Sequence, residues 1–153
     1  MARQYWLLKS EPGDYSIDDL EKDGTTFWSG VRNYSARNLM RDKMRLGDRA
    51  LFYHSNADPP GVVGLAEVCR ESYPDHLQFD KKSKYFDPKA TKETPRWFMV
   101  DVEFMEKFPR MVSLGEIRDT AALSDMVLVN RSRLSVQPVR KAEYDRILKM
   151  SKT

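Results

Sequence analysis

Within eleven residues the chain brings together a flat ring, a glycine turn and a helix start: Trp28-Ser29-Gly30-Val31-Arg32-Asn33-Tyr34-Ser35-Ala36-Arg37-Asn38. Asn33 is placed as an N-cap, its side chain accepting from an early helical amide. Ala36, Leu39, Met40 and Met44 then fall on one helical face. Arg37, Arg41 and Arg45 repeat every four residues and predict a cationic ridge along another face of the same helix. A ring, free amides at a helix start and a cationic ridge are the parts that hold a heterocycle and its phosphates.

Other side chains offer partners for a base. Trp28, Tyr53, Trp97 and Tyr5 or Trp6 are candidate rings, with core packing as the plain alternative for each. Lys9, Ser10, Asn33, His54, Ser55 and Gln137 sit at the ends of expected elements, where pockets form. His54 serves equally well as a hydrogen-bonded core histidine. The parts of an enzyme are scarcer. His54 and His76 are the only histidines, too few for a multi-histidine metal site. No nucleophile elbow or phosphate-cradling glycine loop is present. Cys69 lies among apolar residues and reads as an inert thiol; being alone, it excludes an intramolecular disulfide and a cysteine zinc site. No cofactor is called for.

The elements that must position these groups follow from the hydrophobic pattern. Tyr5 to Lys9 predicts a strand, stopped by Ser10-Glu11-Pro12-Gly13. Ser16 and Asp19 form a capping-box pair, with Ile17 and Leu20 buried below it. Thr25 to Trp28 is β-prone, and Gly47 should close the arginine helix. Arg49 to Ser55 and Val62 to Cys69 predict a hairpin; Gly64 and Ala66 signal close approach of a backbone or ligand. Tyr73 to Pro95 is irregular and long for a loop, tied down by Tyr85, Phe86 and Trp97. Trp97 to Met105 is the clearest strand, turning at Phe108-Pro109. Short helices are expected at Leu114 to Ile117 and Leu123 to Val129, a strand at Leu134 to Val139, and a last helix at Lys141 to Met150.

The 153 residues suit one domain, and 41% hydrophobic with 32% charged residues places the chain in the soluble globular class. The net charge of +3 says little, but its distribution is uneven. Asp14 to Asp23 is acidic, Arg32 to Arg49 is basic, and Lys81, Lys82, Lys84, Lys89 and Lys92 form a second basic run. Such clusters track a phosphate backbone or simply solvate a surface. No apolar run spans a bilayer, and the start lacks the apolar stretch of a secretory signal. The expected location is cytoplasmic, or nuclear in a eukaryote.

The ordered set of motifs resembles the EVE-domain proteins. It comprises Tyr5-Trp6-Leu7-Leu8-Lys9-Ser10-Glu11-Pro12, Trp28 to Tyr34 with Ala36-Arg37-Asn38, Gly47-Asp48, Phe52-Tyr53-His54-Ser55-Asn56 and Pro59 to Val68. It continues with Tyr85-Phe86-Asp87-Pro88, Pro95-Arg96-Trp97, Val100-Asp101-Val102 and Leu134-Ser135-Val136-Gln137-Pro138-Val139. The resemblance implies one domain over residues 1–153, of the α+β class: a PUA-like small curled β-barrel with several short helices packed around it. It implies a non-catalytic reader of nucleic acid that accepts a flipped modified base, with modified cytosine in DNA favoured. The implied pocket consists of Lys9, Ser10 and Glu11; Trp28, Val31, Arg32 and Asn33; and Tyr53, His54 and Ser55. Leu134, Ser135 and Gln137 close it. Arg37, Arg41 and Arg45 would supply phosphate affinity that falls with salt. The alternatives are an RNA-binding module for modified or structured RNA, a small-molecule or nucleotide-binding domain, and a nucleotide-processing enzyme using His54 with Glu11 or Asp101.

Overall fold

The computed structural model describes residues 3–130 and 133–153. In chain order the elements are β1 (Tyr5–Ser10), α1 (Ile17–Asp23), β2 (Thr25–Phe27), α2 (Tyr34–Asp42), β3 (Arg49–His54), β4 (Gly61–Pro74), β5 (Phe98–Ser113), α3 (Leu114–Arg118), α4 (Val127–Asn130), β6 (Val136–Val139) and α5 (Lys141–Met150). Short 3-10 turns occupy His76–Phe79 and Ala121–Leu123.

The strands form one mixed sheet in the order β2-β5-β4-β3-β1-β6. β1 lies parallel to β3, and every other pairing is antiparallel. Alternation sorts the side chains onto two faces. Trp6, Leu8, Ala50, Phe52, Ala66, Val100, Val102 and Val136 point into one core, shared with Ile17 and Leu20 of α1 and Ala36 and Met40 of α2. Leu7, Leu51, Tyr53, Leu65 and Val139 point into the other, covered by Ile117, Leu123, Leu128, Tyr144 and Ile147. The β4–β5 ladder carries four register shifts. Extra residues on one strand bend and twist a sheet at such points, and no pairing joins the edge strands β2 and β6 among the described residues, so the expected barrel is an open sheet. The result is an α+β PUA-like fold.

Local chemistry accounts for the helix starts. Ser16 and Asp19 exchange the two bonds of a capping box, 3.1 Å and 2.9 Å long. The Asn33 side chain accepts from Ala36 N at 3.0 Å. Gly64 is small because another backbone needs the space: a Cβ there would lie 2.4 Å from the Glu106 carbonyl oxygen.

Three elements differ from expectation. First, α2 ends at Asp42, with Lys43 as its C-cap, rather than at Gly47. The buried Asp48 carboxylate accepts from Arg45 N, Gln4 N and the Trp6 indole, each at 3.0 Å, and draws the chain off the helix axis. Second, β5 does not turn at Phe108-Pro109. Phe108 is buried in the second core, and Pro109 falls where the register jumps from Lys107–Gly64 to Val112–Val62, so no ladder N–H is needed there. Third, the segment Leu123 to Val129 divides into the 3-10 turn ending at Leu123 and α4. Pro138 is tolerated inside β6 because that strand is a sheet edge.

Candidate functional site

Beside Trp28 lies an open cleft of about 990 Å³. Its lining comes from six places: the end of β1 with the loop that follows, β2 with the end of α1 before it and the turn after it, Ser55 beyond β3, Tyr85 of the long loop, Asp101 of β5, and Ser135 before β6. A volume of this order is at the upper end of small-ligand sites. Such a volume has room for a heterocycle with its sugar.

The turn Trp28 to Asn33 is fixed by one buried carboxylate. Asp75 is fully buried; its Oδ2 accepts from Gly30 N at 2.7 Å and from the Arg32 guanidinium at 3.1 Å, and its Oδ1 from Leu77 N at 2.8 Å. Arg32 also donates twice to the Tyr85 carbonyl and lies over the Tyr85 and Trp97 rings at 5.2 and 5.3 Å. The guanidinium thus sets one cleft wall against another. Gly30 has φ +81°, and a Cβ there would meet the Tyr85 ring at 3.0 Å. Glycine satisfies both demands.

Gln78 holds the base of the long loop. Its buried amide donates to the Asp75 and Trp97 carbonyls and accepts from Arg96 N and Trp97 N, at 2.8 to 3.0 Å. On the other wall Ser10 Oγ donates to the Tyr15 carbonyl at 2.6 Å, and Asn56 Nδ2 donates to Glu11 at 2.9 Å. The Tyr15 hydroxyl donates to Asp23, and burial is the main force pushing its pKa up to about 12. Tyr15 therefore remains a neutral phenol at physiological pH. Burial likewise lowers the pKa of Lys9, whose Nζ lies 5.6 Å from the Tyr53 ring centroid.

The structure brings Lys9, Ser10, Glu11, Trp28, Val31, Arg32, Asn33, Ser55 and Ser135 together around the cleft. It does not bring Tyr53, His54, Leu134 or Gln137 to the lining. Tyr53 alternates onto the opposite face and is buried in the second core. His54 Nε2 accepts from Ile17 N at 3.1 Å, seating the start of α1; burial lowers its pKa and keeps the ring neutral. A histidine so engaged is not poised over the cleft, which weakens the enzyme reading with Glu11 or Asp101. Leu134 packs into the first core, and the fully buried Gln137 donates to the Leu134 carbonyl. Among the candidate rings, Trp97 is buried with its indole N–H donating to Asp87 at 2.8 Å. Trp6 is spent on Asp48, and Tyr5 packs on Tyr144.

Trp28 itself is only 8% exposed, with its ring edge-on to Phe52 at 5.5 Å. It is both cleft wall and core. The other ring-bearing residues of the lining are Tyr15, Phe27 and Tyr85, none of them on the sequence-based list. Tyr85 was legible only as a loop anchor, and no local signal marked Tyr15 or Phe27. The role of Asp75 carried no signal either, since its partners in the cleft turn, Gly30 and Arg32, are more than forty residues away.

The cationic ridge is shorter than the spacing predicts. Arg37 and Arg41 stand on α2, whereas Arg45 lies beyond its end and its guanidinium folds back on the Asp42 and Met44 carbonyls. Arg41 is paired with Asp42 at 2.8 Å. Arg37 donates to Asn38 and to the Arg96 carbonyl. Among the described residues no group of His, Cys, Asp and Glu is arranged to hold a metal ion, and no helix is long and apolar enough to cross a membrane.

Residues 4–150 match the EVE domain family. The chain is 44% identical over 165 residues to thymocyte nuclear protein 1 of Gallus gallus, covering 95% of this chain and 68% of that protein. A hypothetical protein from Leishmania major has a similar structure, with TM-score 0.95 at 54% identity, covering 99% of this chain and 96% of that one. So does the human THYN1 protein, solved in complex with 5-methylcytosine containing DNA: TM-score 0.93 at 40% identity, covering 98% of each chain. With the family matched over residues 4–150 and relatives this similar along nearly its whole length, the chain belongs to the EVE-domain family.

Proposed function

We propose that this EVE domain is a non-catalytic DNA reader that holds one flipped, modified cytosine in the cleft beside Trp28. The observation that carries the reading is the ring-walled cleft itself, open to solvent and bounded by Trp28, Phe27, Tyr15 and Tyr85. The complex of the human THYN1 protein with 5-methylcytosine containing DNA supports DNA as the ligand.

Flipping a base costs a few kcal/mol, which contacts in the cleft must offset. One aromatic stack contributes about 1–3 kcal/mol. Cytosine offers an exocyclic amino donor. Glu11 and Asp14 line the cleft with carboxylates, which accept from such a donor. Ser10, Asn33, Ser55 and Ser135 add short polar groups that orient a ring without filling the space. An added methyl group in an apolar niche discriminates by about 1–3 kcal/mol. The reading therefore implies a preference for the modified base and not an absolute requirement.

Flipping is tested with a fluorescent cytosine analogue placed at the modified position of a duplex. Emission rises on binding if the base leaves the stack. Trp28→Phe keeps a core ring and should reduce the signal and the preference for modified DNA; Trp28→Ala would open a cavity in the core and confuse the result. No change in emission at saturating protein would overturn the proposal.

A further inference from the structure

Next to the cleft, on the outer side of the Arg32 clamp, stands a second assembly of rings and cations. Tyr34 is 46% exposed although it is a large aromatic residue at the first turn of α2. Its inner face stacks on Trp97, with centroids 4.8 Å apart and planes 23° apart. Arg37 lies 4.7 Å and Arg96 5.9 Å from its centroid. The Arg96 guanidinium also bonds the Tyr34 hydroxyl, and Arg37 bonds the Arg96 carbonyl at 2.8 Å. Two guanidiniums from distant segments are thus held rigidly around one exposed ring.

Several observations mark this as a seat for an anion rather than a settled surface. Burial chiefly, then Arg41 and least Arg96, disfavour the charge on Arg37, with Tyr34 and Asp42 acting the other way. Each guanidinium carries five N–H donors, more than the hydrogen bonds described for either, and the Asp87 carboxylate 3.6 Å from Arg96 offsets only one of the two charges. The assembly is also continuous with the cleft. Trp97 contacts both Arg32, which lines the cleft, and Arg37 and Tyr34. Asn33, which lines the cleft, immediately precedes Tyr34.

We infer that Tyr34, Arg37 and Arg96 form a seat for the phosphodiester and sugar of the DNA strand next to the cleft-held base. The inference rests on the DNA reading above. Its occupant is the flanking backbone, matched in charge to the two guanidiniums, with Tyr34 as the surface against which the sugar packs. The contact carries no base information, so it adds affinity without adding discrimination.

The test uses the full chain and 5-methylcytosine or plain oligonucleotides of matched sequence, with fluorescence anisotropy across a salt series. Arg37→Gln and Arg96→Gln should each weaken both ligands to the same degree. Each should make the slope of log affinity against log salt shallower by about 0.9 if it removes one duplex phosphate contact. Arg96→Lys should retain most of the salt slope, and Tyr34→Ala should weaken both ligands to the same degree. Arg146→Gln, an equal charge loss on α5, should change neither affinity nor slope. Circular dichroism and thermal unfolding confirm that each variant is folded. The seat is refuted if Arg37→Gln and Arg96→Gln bind as the parent does, or if Arg146→Gln weakens binding equally. A parent that binds both oligonucleotides equally would instead refute the modified-base reading, and the seat would still be measured on the plain strand.

Discussion

Replacing Asp75 by alanine should both destabilise the protein and disassemble the cleft. The carboxylate is fully buried and satisfies three donors: Gly30 N, the Arg32 guanidinium and Leu77 N. Removing one partner of a buried ion pair costs about 3–5 kcal/mol, since the other charge is left uncompensated. Two opposing features set the position in that range. The Arg32 side chain is 20% exposed and keeps its bonds to the Tyr85 carbonyl, which moderates the loss. Two orphaned backbone amides increase it. A net loss of about 4 kcal/mol is expected. For a chain of this size that lowers Tm by about 8–16 °C. Urea unfolding followed by tryptophan emission supplies the free energy, and a paired measurement on Arg32→Met/Asp75→Leu tests the cause. The double variant should recover part of the loss, because no charge remains buried, but not all of it, because the two amides still lack an acceptor. Binding preference for modified DNA should fall in Asp75→Ala even well below its Tm. A loss under about 1 kcal/mol, or a double variant less stable than Asp75→Ala, would refute the reasoning.

Gly30→Ala should destabilise by about 1 kcal/mol or more, since φ is +81° and the new Cβ meets the Tyr85 ring at 3.0 Å; chemical denaturation measures it. Gly64→Ala should cost more, because the obstacle is a backbone oxygen at 2.4 Å rather than a movable ring. His54 has a folded pKa below its unfolded value, chiefly through burial. Its unfolded form gains a proton first, so stability is full above about pH 6.5 and declines as pH falls from there toward the lowered folded value. His54→Gln should flatten that part of the stability–pH curve, and an unchanged curve would remove His54 as its source.

The fold was legible where local chemistry and periodicity agreed. Ser16 with Asp19, Asn33 with Ala36, and the alternation of Ala50 and Phe52 against Leu51 and Tyr53 all read directly into the structure. The end of α2 was not legible, because Asp48 draws the chain away through bonds to Gln4 and Trp6 that spacing cannot reveal. Half of the cleft was equally hidden. Alternation alone should have sent Tyr53 to the face opposite Phe52, yet the motif around it drew it into the expected site. Tyr15 and Tyr85 reach the cleft through Ser10 and Arg32, a short loop closure and a contact across fifty-three residues. Trp28 was read as a cleft ring; it is also structural, which makes phenylalanine the informative replacement.

The most direct test of the central claim compares dissociation constants of the unaltered protein for two DNA duplexes that differ by one 5-methyl group on cytosine, at one fixed salt concentration. The methylated duplex should bind about tenfold more tightly, within the range that one methyl group in an apolar niche supplies. Equal constants for the two duplexes would contradict it.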